Sequence, residues 1–290
     1  MSVYSKWLWV DGDYLLTYLW FRGAEVVQQF WLQLAALVVE FGSDRVAVAW
    51  DSDKNRRRQL WDPYKRNRLV PPEWRQEKPQ LRQRLRESLV YLPLVQGEVP
   101  GLEADDLLWC WQQRRYGLLV SGDHDLWQCL DREGIAAWSP RHNKCTTQRE
   151  VDKQFGGVIA MVIQKCLVGD KSDGVPGVVG VGEVRAKELW AKFAADLIFL
   201  VRDRSPVGMD TEDRWMQQVI ADKAVLQRNW QLLRLGELVN TADLEAAENL
   251  LQQPIKLFDV AAARNYAATQ GWFNVLKEWH HLVKAFQPIS

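Results

Sequence analysis

Three short apolar runs, each delivered straight into an aspartate, constrain this chain most. WLWV at 7–10 runs into Asp11, VAVAW at 46–50 into Asp51, and GLLVSG at 117–122 into Asp123. Helix-length segments lie between and around them, at 14–41, 80–92 and 103–115. That alternation predicts a parallel sheet with helices on its faces, an α/β fold. Ligands of such sheets sit beyond the carboxyl ends of the strands, which is where the three aspartates fall. A further strand, IAAWS (135–139), precedes helical stretches at 150–157 and 158–168. Residues 191–290 carry helical periodicity without distinctive chemistry.

The 290 residues suffice for one large domain or two of moderate size, and 47% hydrophobic content is enough for a real core. No apolar run reaches membrane-spanning length, and the start, MSVYSKWLWVDGD, meets charge too early for a signal peptide. A cytoplasmic location without membrane contact is the expectation. Cys110, Cys129, Cys145 and Cys166 are widely spaced, with no C-x-x-C pair, and read as free thiols of a reducing compartment. The 16 tryptophans are read as core packing by default. Net charge is zero, but Ser52 to Glu87 holds twelve Lys or Arg against five Asp or Glu.

Nine carboxylates are candidates for one cleft: Asp11, Asp51, Glu103, Asp105, Asp106, Asp123, Asp125, Asp170 and Asp173. Gathered together they would repel, so they would have to hold protons or bind cations. Hard oxygen donors without histidine or cysteine point to Mg²⁺ or Mn²⁺ rather than zinc. Each element also has a plain structural alternative. The EADD run (103–106) can serve a helix N-terminus, Asp123 can cap a turn, and Asp11 and Asp51 can be ordinary strand-end residues. The coincidence of strand ends and a helix start presenting acids to one edge favours the cleft.

Two further segments stand out. Residues 52–80 are too polar and too rich in proline for a core and too long for an ordinary connection, which leaves a solvated basic loop or a functional insertion. In PGVVGVGEVRA (176–186), close-set glycines precede a helix and resemble a helix-hairpin-helix turn, whose backbone N–H groups approach phosphate without reading sequence.

The order of DG near the N-terminus, YK-x-x-R, GLEADD, SGDHDLWQ and GDKSDGVPGVVGVG strongly resembles the 5′-3′ exonuclease and flap endonuclease family over residues 6–195. The family includes the N-terminal nuclease domain of bacterial DNA polymerase I. No polymerase segment follows, so the chain reads as a stand-alone relative. The resemblance implies a PIN-like (resolvase-like) nuclease domain at 1–165 with a helical arch at about 52–80. It also implies a helical part at 166–290, with a helix-hairpin-helix-type motif at about 166–192. It implies a Mg²⁺-dependent 5′ nuclease, Mn²⁺ substituting, that cuts DNA near a 5′ end in replication or repair and leaves a 5′-phosphate.

By position, Asp11, Asp51, Glu103 and Asp105 match a first metal site, with Asp106 close by, and Asp123, Asp125 and Asp173 a second, supported by Asp170. Asp11, Asp51, Asp105, Asp123, Asp125 and Lys65 would be the catalytic set. Tyr64 falls where the family contacts a base, Lys65 where it stabilises the scissile phosphate, and Arg68 beside them. The carbonyls of Leu167, Val168, Pro176, Val178 and Val181 match a K⁺ site. Gly180, Val181, Gly182, Glu183, Val184 and Arg185 would face DNA. The partner implied is duplex DNA with a single-stranded 5′ end or flap, bound by a monomer.

Two departures are visible. Tyr18 stands where the family often has an arginine, with Arg22 one helical turn later, and Asp13 stands where a small polar residue is common. A non-catalytic DNA-binding module would be expected to lose carboxylates, and this chain keeps them. A PIN-type ribonuclease fits the basic arch and glycine turn less well, though RNA in a hybrid stays open.

Overall fold

The computed structural model describes residues 7–23, 25–66, 68–113, 115–202 and 211–287. The first half runs β1 (Trp7–Asp11), α1 (Gly12–Phe21), α2 (Val26–Phe41), β2 (Arg45–Ala49), α3 (Arg56–Leu60), α4 (Pro72–Leu89), β3 (Val95–Gly97), α5 (Ala104–Gln112) and β4 (Gly117–Val120). A 3-10 turn (His124–Cys129), β5 (Ile135–Ser139), β6 (Lys144–Thr147), α6 (Gln148–Phe155) and α7 (Val158–Val168) follow. A two-stranded ribbon of β7 (Gly169–Asp170) and β8 (Val175–Pro176) leads to α8 (Glu183–Val201), α9 (Arg214–Ala221) and α10 (Lys223–Leu233). The last described helices are α11 (Thr241–Gln252), α12 (Val260–Thr269), α13 (Phe273–Lys277) and α14 (Trp279–Phe286).

The six-stranded sheet has the order β3-β2-β1-β4-β5-β6, parallel throughout except for β6 against β5. This is the mostly parallel sheet with flanking helices expected from the sequence. β1 lies at its centre, paired to β2 on one side and β4 on the other, with Val10 opposite both Val48 and Val120. Asp11, Asp51 and Asp123 therefore leave the same edge.

Alternation along the strands divides the core. Leu8, Val10, Val46, Val48, Leu118 and Val120 pack with α1, α2, α4 and the three C-terminal helices. Trp7, Trp9, Ala47, Ala49, Leu119 and Ala137 face α5, α7 and α11 instead. A third cluster joins α7, α8, α9 and α10 to Tyr64. Tryptophan fills these layers: Trp9, Trp31, Trp50 and Trp111 are among the largest fully buried side chains. Trp9 explains one glycine, because a Cβ on Gly117 of the neighbouring strand would meet its Nε1 at 2.4 Å.

Some boundaries differ from expectation. The 14–41 stretch is two helices, broken around Gly23, whose φ of 65° suits glycine. α4 starts at Pro72 rather than near 80, as a proline at a first helical position allows. β3 and β6 were not anticipated: VQG is too short to show a period, and KCTT is half polar at the sheet's edge. No described helix is long and apolar enough to cross a membrane.

Candidate active site

The aspartate that ends β1 does two local jobs. Its Oδ1 accepts the Tyr14 amide at 2.9 Å, capping α1, and its Oδ2 accepts the Ser121 hydroxyl at 3.1 Å. Burial, then the neighbouring Asp51 charge, push its carboxyl up to about 8. Asp51 accepts the Ala104 amide at 2.9 Å, and burial and Asp13 raise it as well. Asp13 accepts the Asp51 amide at 2.9 Å and pairs with Lys78 of α4 at 2.8 Å, so this departure from the family pattern braces a strand-end acid.

Glu103 is buried and fully engaged. Asn55 (2.9 Å) and Lys65 donate to its Oε1, and Arg57 (3.0 Å) and Tyr64 (2.9 Å) to its Oε2. Burial alone would raise its carboxyl, but Lys65 and Arg57 together hold it at about 2. It makes no capping bond to α5, so helix capping does not account for it. Asp105, at the start of that helix, is raised well above the usual range by burial and by Asp106.

Asp106 is placed differently from the expectation of a nearby metal ligand. It is 1% exposed and takes both terminal nitrogens of Arg57, whose Nε donates to the Leu232 carbonyl at 2.8 Å. The pair ties α5 to α3, and the Arg57 Nε carries the link on to α10. Tyr64 also departs from its expected place against a base. It is 3% exposed, in the third core cluster, with its hydroxyl on Glu103.

The second acidic group is built on the turn after β4 and on the β7–β8 ribbon. Asp123 caps the 3-10 turn by accepting the Asp125 amide at 2.9 Å, the structural role foreseen for it, and burial and Asp125 raise its carboxyl. Asp125, Asp170 and Asp173 bring ligand oxygens within 4.8 Å of one another. Lys165 bridges Asp125 and Asp170, while Arg68 holds Asp173 at 2.9 Å through Nε. Burial pushes Asp170 up, but Lys165 and the Ser172 hydroxyl bring it down to about 2. Lys165 was not singled out from the sequence. Only its position one turn before GDKSD, in an otherwise apolar helix, could have marked it.

Lys65 belongs to both groups. Its ammonium lies on Glu103, and its charge also acts on Asp105, Asp173, Asp51 and Asp123. Burial costs it charge, yet Glu103 and Asp105 keep its pKa above the usual lysine range. Asp123, Asp125, Asp170 and Asp173 line a cleft of about 740 Å³ that also reaches Tyr14, Trp127, Arg141, His142 and Lys187. Arg22 donates to the Tyr18 hydroxyl at 2.8 Å, so the two positions around the missing arginine are joined.

In the glycine turn, the first-turn amides of Glu183, Val184 and Arg185 follow the Gly182 cap and have no acceptor within the helix. Val184 is exposed at this crest. Of the five carbonyls proposed for potassium, Leu167 accepts Val178 N–H (2.8 Å) and Val178 accepts Val181 N–H (3.1 Å). Pro176 accepts Asn229 Nδ2 (2.9 Å) and Arg228 (3.1 Å), so a guanidinium already sits at this edge.

Residues 22–156 match the family model of the 5′-3′ exonuclease N-terminal resolvase-like domain. A thermostable DNA polymerase I of Thermus thermophilus is 35% identical over 131 residues, covering 43% of this chain and 15% of that protein. A 5′-3′ exonuclease of Aquifex aeolicus is 32% identical over 114 residues, 37% of this chain and 38% of the relative. The chain thus spans well under half the length of these curated relatives. Among solved structures, the D15 protein of phage T5, co-crystallised with metal ions, superposes with a TM-score of 0.71 at 19% identity, over 85% of this chain and 98% of that one. Flap endonuclease-1 from Methanococcus jannaschii gives 0.53 at 14% identity, over 98% and 92%. The structural likeness establishes a shared fold. Residues 22–156, a little under half of this chain, are thus similar to the 5′-3′ exonuclease N-terminal resolvase-like domain.

Proposed function

We propose that this chain hydrolyses phosphodiester bonds of DNA near a 5′ end, with two divalent ions held by the acids of the sheet edge. One observation carries the reading: carboxylates from the end of β2, α5, the β4 turn and the β7–β8 ribbon gather around Lys65, with Asp11 of β1 beside Asp51. Asp11, Asp51, Glu103 and Asp105 would hold one ion, and Asp123, Asp125, Asp170 and Asp173 the other. Hard, ionisable oxygens fit Mg²⁺, with Mn²⁺ as a substitute. Burial and mutual repulsion hold protons on several of them, a cost that cations would offset. Such ions, when bound, activate water and stabilise the leaving 3′ oxygen.

The chain's own residues do the rest. Lys65 brings positive charge to the scissile phosphate, and Arg68 stands beside it on Asp173. Asp13 and Ser121 fix Asp51 and Asp11 from behind. The amides after Gly182 grip duplex phosphate without reading bases. Residues 1–165 would form the nuclease domain and 166–290 the helical part. The carbonyls of the glycine turn would accept K⁺ only with Arg228 displaced.

A 5′-flap duplex incubated with Mg²⁺ or with EDTA, its cut sites mapped, tests the reading. Metal-dependent cuts near the flap junction support it. Binding without cleavage under any divalent ion would leave a DNA-binding module.

A further inference from the structure

The start of α9 stands against the glycine turn. Asp213 caps this helix, accepting the Trp215 and Met216 amides at 3.0 and 3.2 Å, and pairs with Lys192 of α8 at 3.3 Å. The first turn of α9 is thereby fastened to α8. Trp215 then lies on the turn itself. Gly180 has a φ of 77°, and a Cβ there would meet the indole at 3.0 Å.

Two guanidiniums use this one indole. The Arg185 guanidinium centres 3.7 Å from the ring centroid and donates to the Gly180 carbonyl at 2.6 Å. That of Arg214 centres 4.3 Å from the same ring. Neither forms an ion pair among the described residues, whereas arginines of the arch are held by acids. Two cations sharing a ring repel each other, and the ring face offsets this only in part. An anion with more than one charged group would relieve both. Arg214 is the first residue of α9 and belongs to no motif, so nothing in the sequence marked it.

We propose that Arg185 and Arg214, held on Trp215, form a two-cation platform that binds neighbouring phosphates of duplex DNA and carries the contact of the glycine turn on to α9. Trp215 is a positioning residue in this arrangement. The proposal rests on reading the glycine turn as a duplex-binding element.

Anisotropy of a labelled 5′-flap duplex, titrated with salt in EDTA to prevent cleavage, tests it on the full chain. Arg214→Ala should weaken binding about five- to tenfold at moderate salt and reduce the log–log salt slope by about 0.9, as loss of one phosphate contact does. Trp215→Ala should reduce the slope further. Trp215→Phe, which keeps a ring face and packs with less disruption, should restore most of it. Lys187→Ala, outside the platform, serves as the control on the turn. If it weakens binding while Arg214→Ala keeps the normal affinity and slope, the platform is wrong and the turn reading stands. If neither Lys187→Ala nor Arg185→Ala changes duplex binding, the turn reading fails and the platform with it.

Discussion

The backbone N–H of Lys65 donates to the carbonyl of Asp173 at 2.8 Å, and Lys65 is held there with a φ of 57°. The left-handed region is uncommon for a side chain of this size and costs on the order of 1 kcal/mol or more. The bond joins the arch to the acidic ribbon and aims the ammonium at Glu103. Lys65→Ala should lower the cleavage rate about 100-fold, the scale of lost electrostatic stabilisation, with affinity changed only a few-fold. Single-turnover kinetics beside binding isotherms separate the two. A loss confined to salt-dependent affinity would make Lys65 a phosphate anchor.

Asp123→Asn and Asp173→Asn should each nearly abolish metal-dependent cleavage and leave duplex binding largely intact. Unchanged turnover in both would end the assignment of two ion sites. Asp11→Asn should show the same loss while raising Tm in EDTA by a few degrees, since it removes a carboxyl that burial and Asp51 force to take up a proton on folding.

Arg57 is placed to hold the fold rather than the substrate, with its charge on Asp106 and Glu103. Arg57→Ala should destabilise the protein by about 3–5 kcal/mol, because Asp106 is left buried without a cationic partner and Glu103 keeps only Lys65. Arg57→Met with Asp106→Leu should recover part of this. Urea unfolding with a constant m-value is the measurement, and an Arg57→Ala loss below about 1 kcal/mol would contradict the buried pair.

Burial pushes the Cys110 thiol up to about 12 and raises those of Cys129 and Cys166, while Cys145 is exposed. A thiol-specific reagent should modify Cys145 alone in the native protein and all four thiols in denaturant, as mass spectrometry would show. Between pH 9 and 12 the unfolded chain ionises thiols that the folded one keeps protonated. Their contribution to stability is therefore full below pH 9 and declines as pH rises through that window. Native labelling of Cys110 at the rate of Cys145 would refute the burial.

Much of the sheet edge was legible because apolar runs and acids repeat: Asp11, Asp51 and Asp123 follow from strand periodicity alone. Glu103, Asp105 and the ribbon acids were candidates from the residues as well, but acids at helix starts have ordinary uses, and only the family resemblance assigned them to ion sites. The arginines of 56–58 were illegible. Three identical neighbours give no sign that Arg57 turns inward to Asp106 and Arg56 to Asp243, because those partners lie 49 and 187 positions away. Tyr64, set against a base by the resemblance, is instead buried in the third core cluster with its hydroxyl on Glu103, partners that lie far off in sequence.

The C-terminal helices share the core of α2, where Trp272, Val275, Leu282 and Phe286 meet Trp31 and its neighbours. On the ribosome, the face of α2 formed near residue 30 must wait for residue 286 to emerge before it is covered. Until then the nascent chain carries an open apolar seam, and a truncation that removes residues 260–286 would leave it open for good.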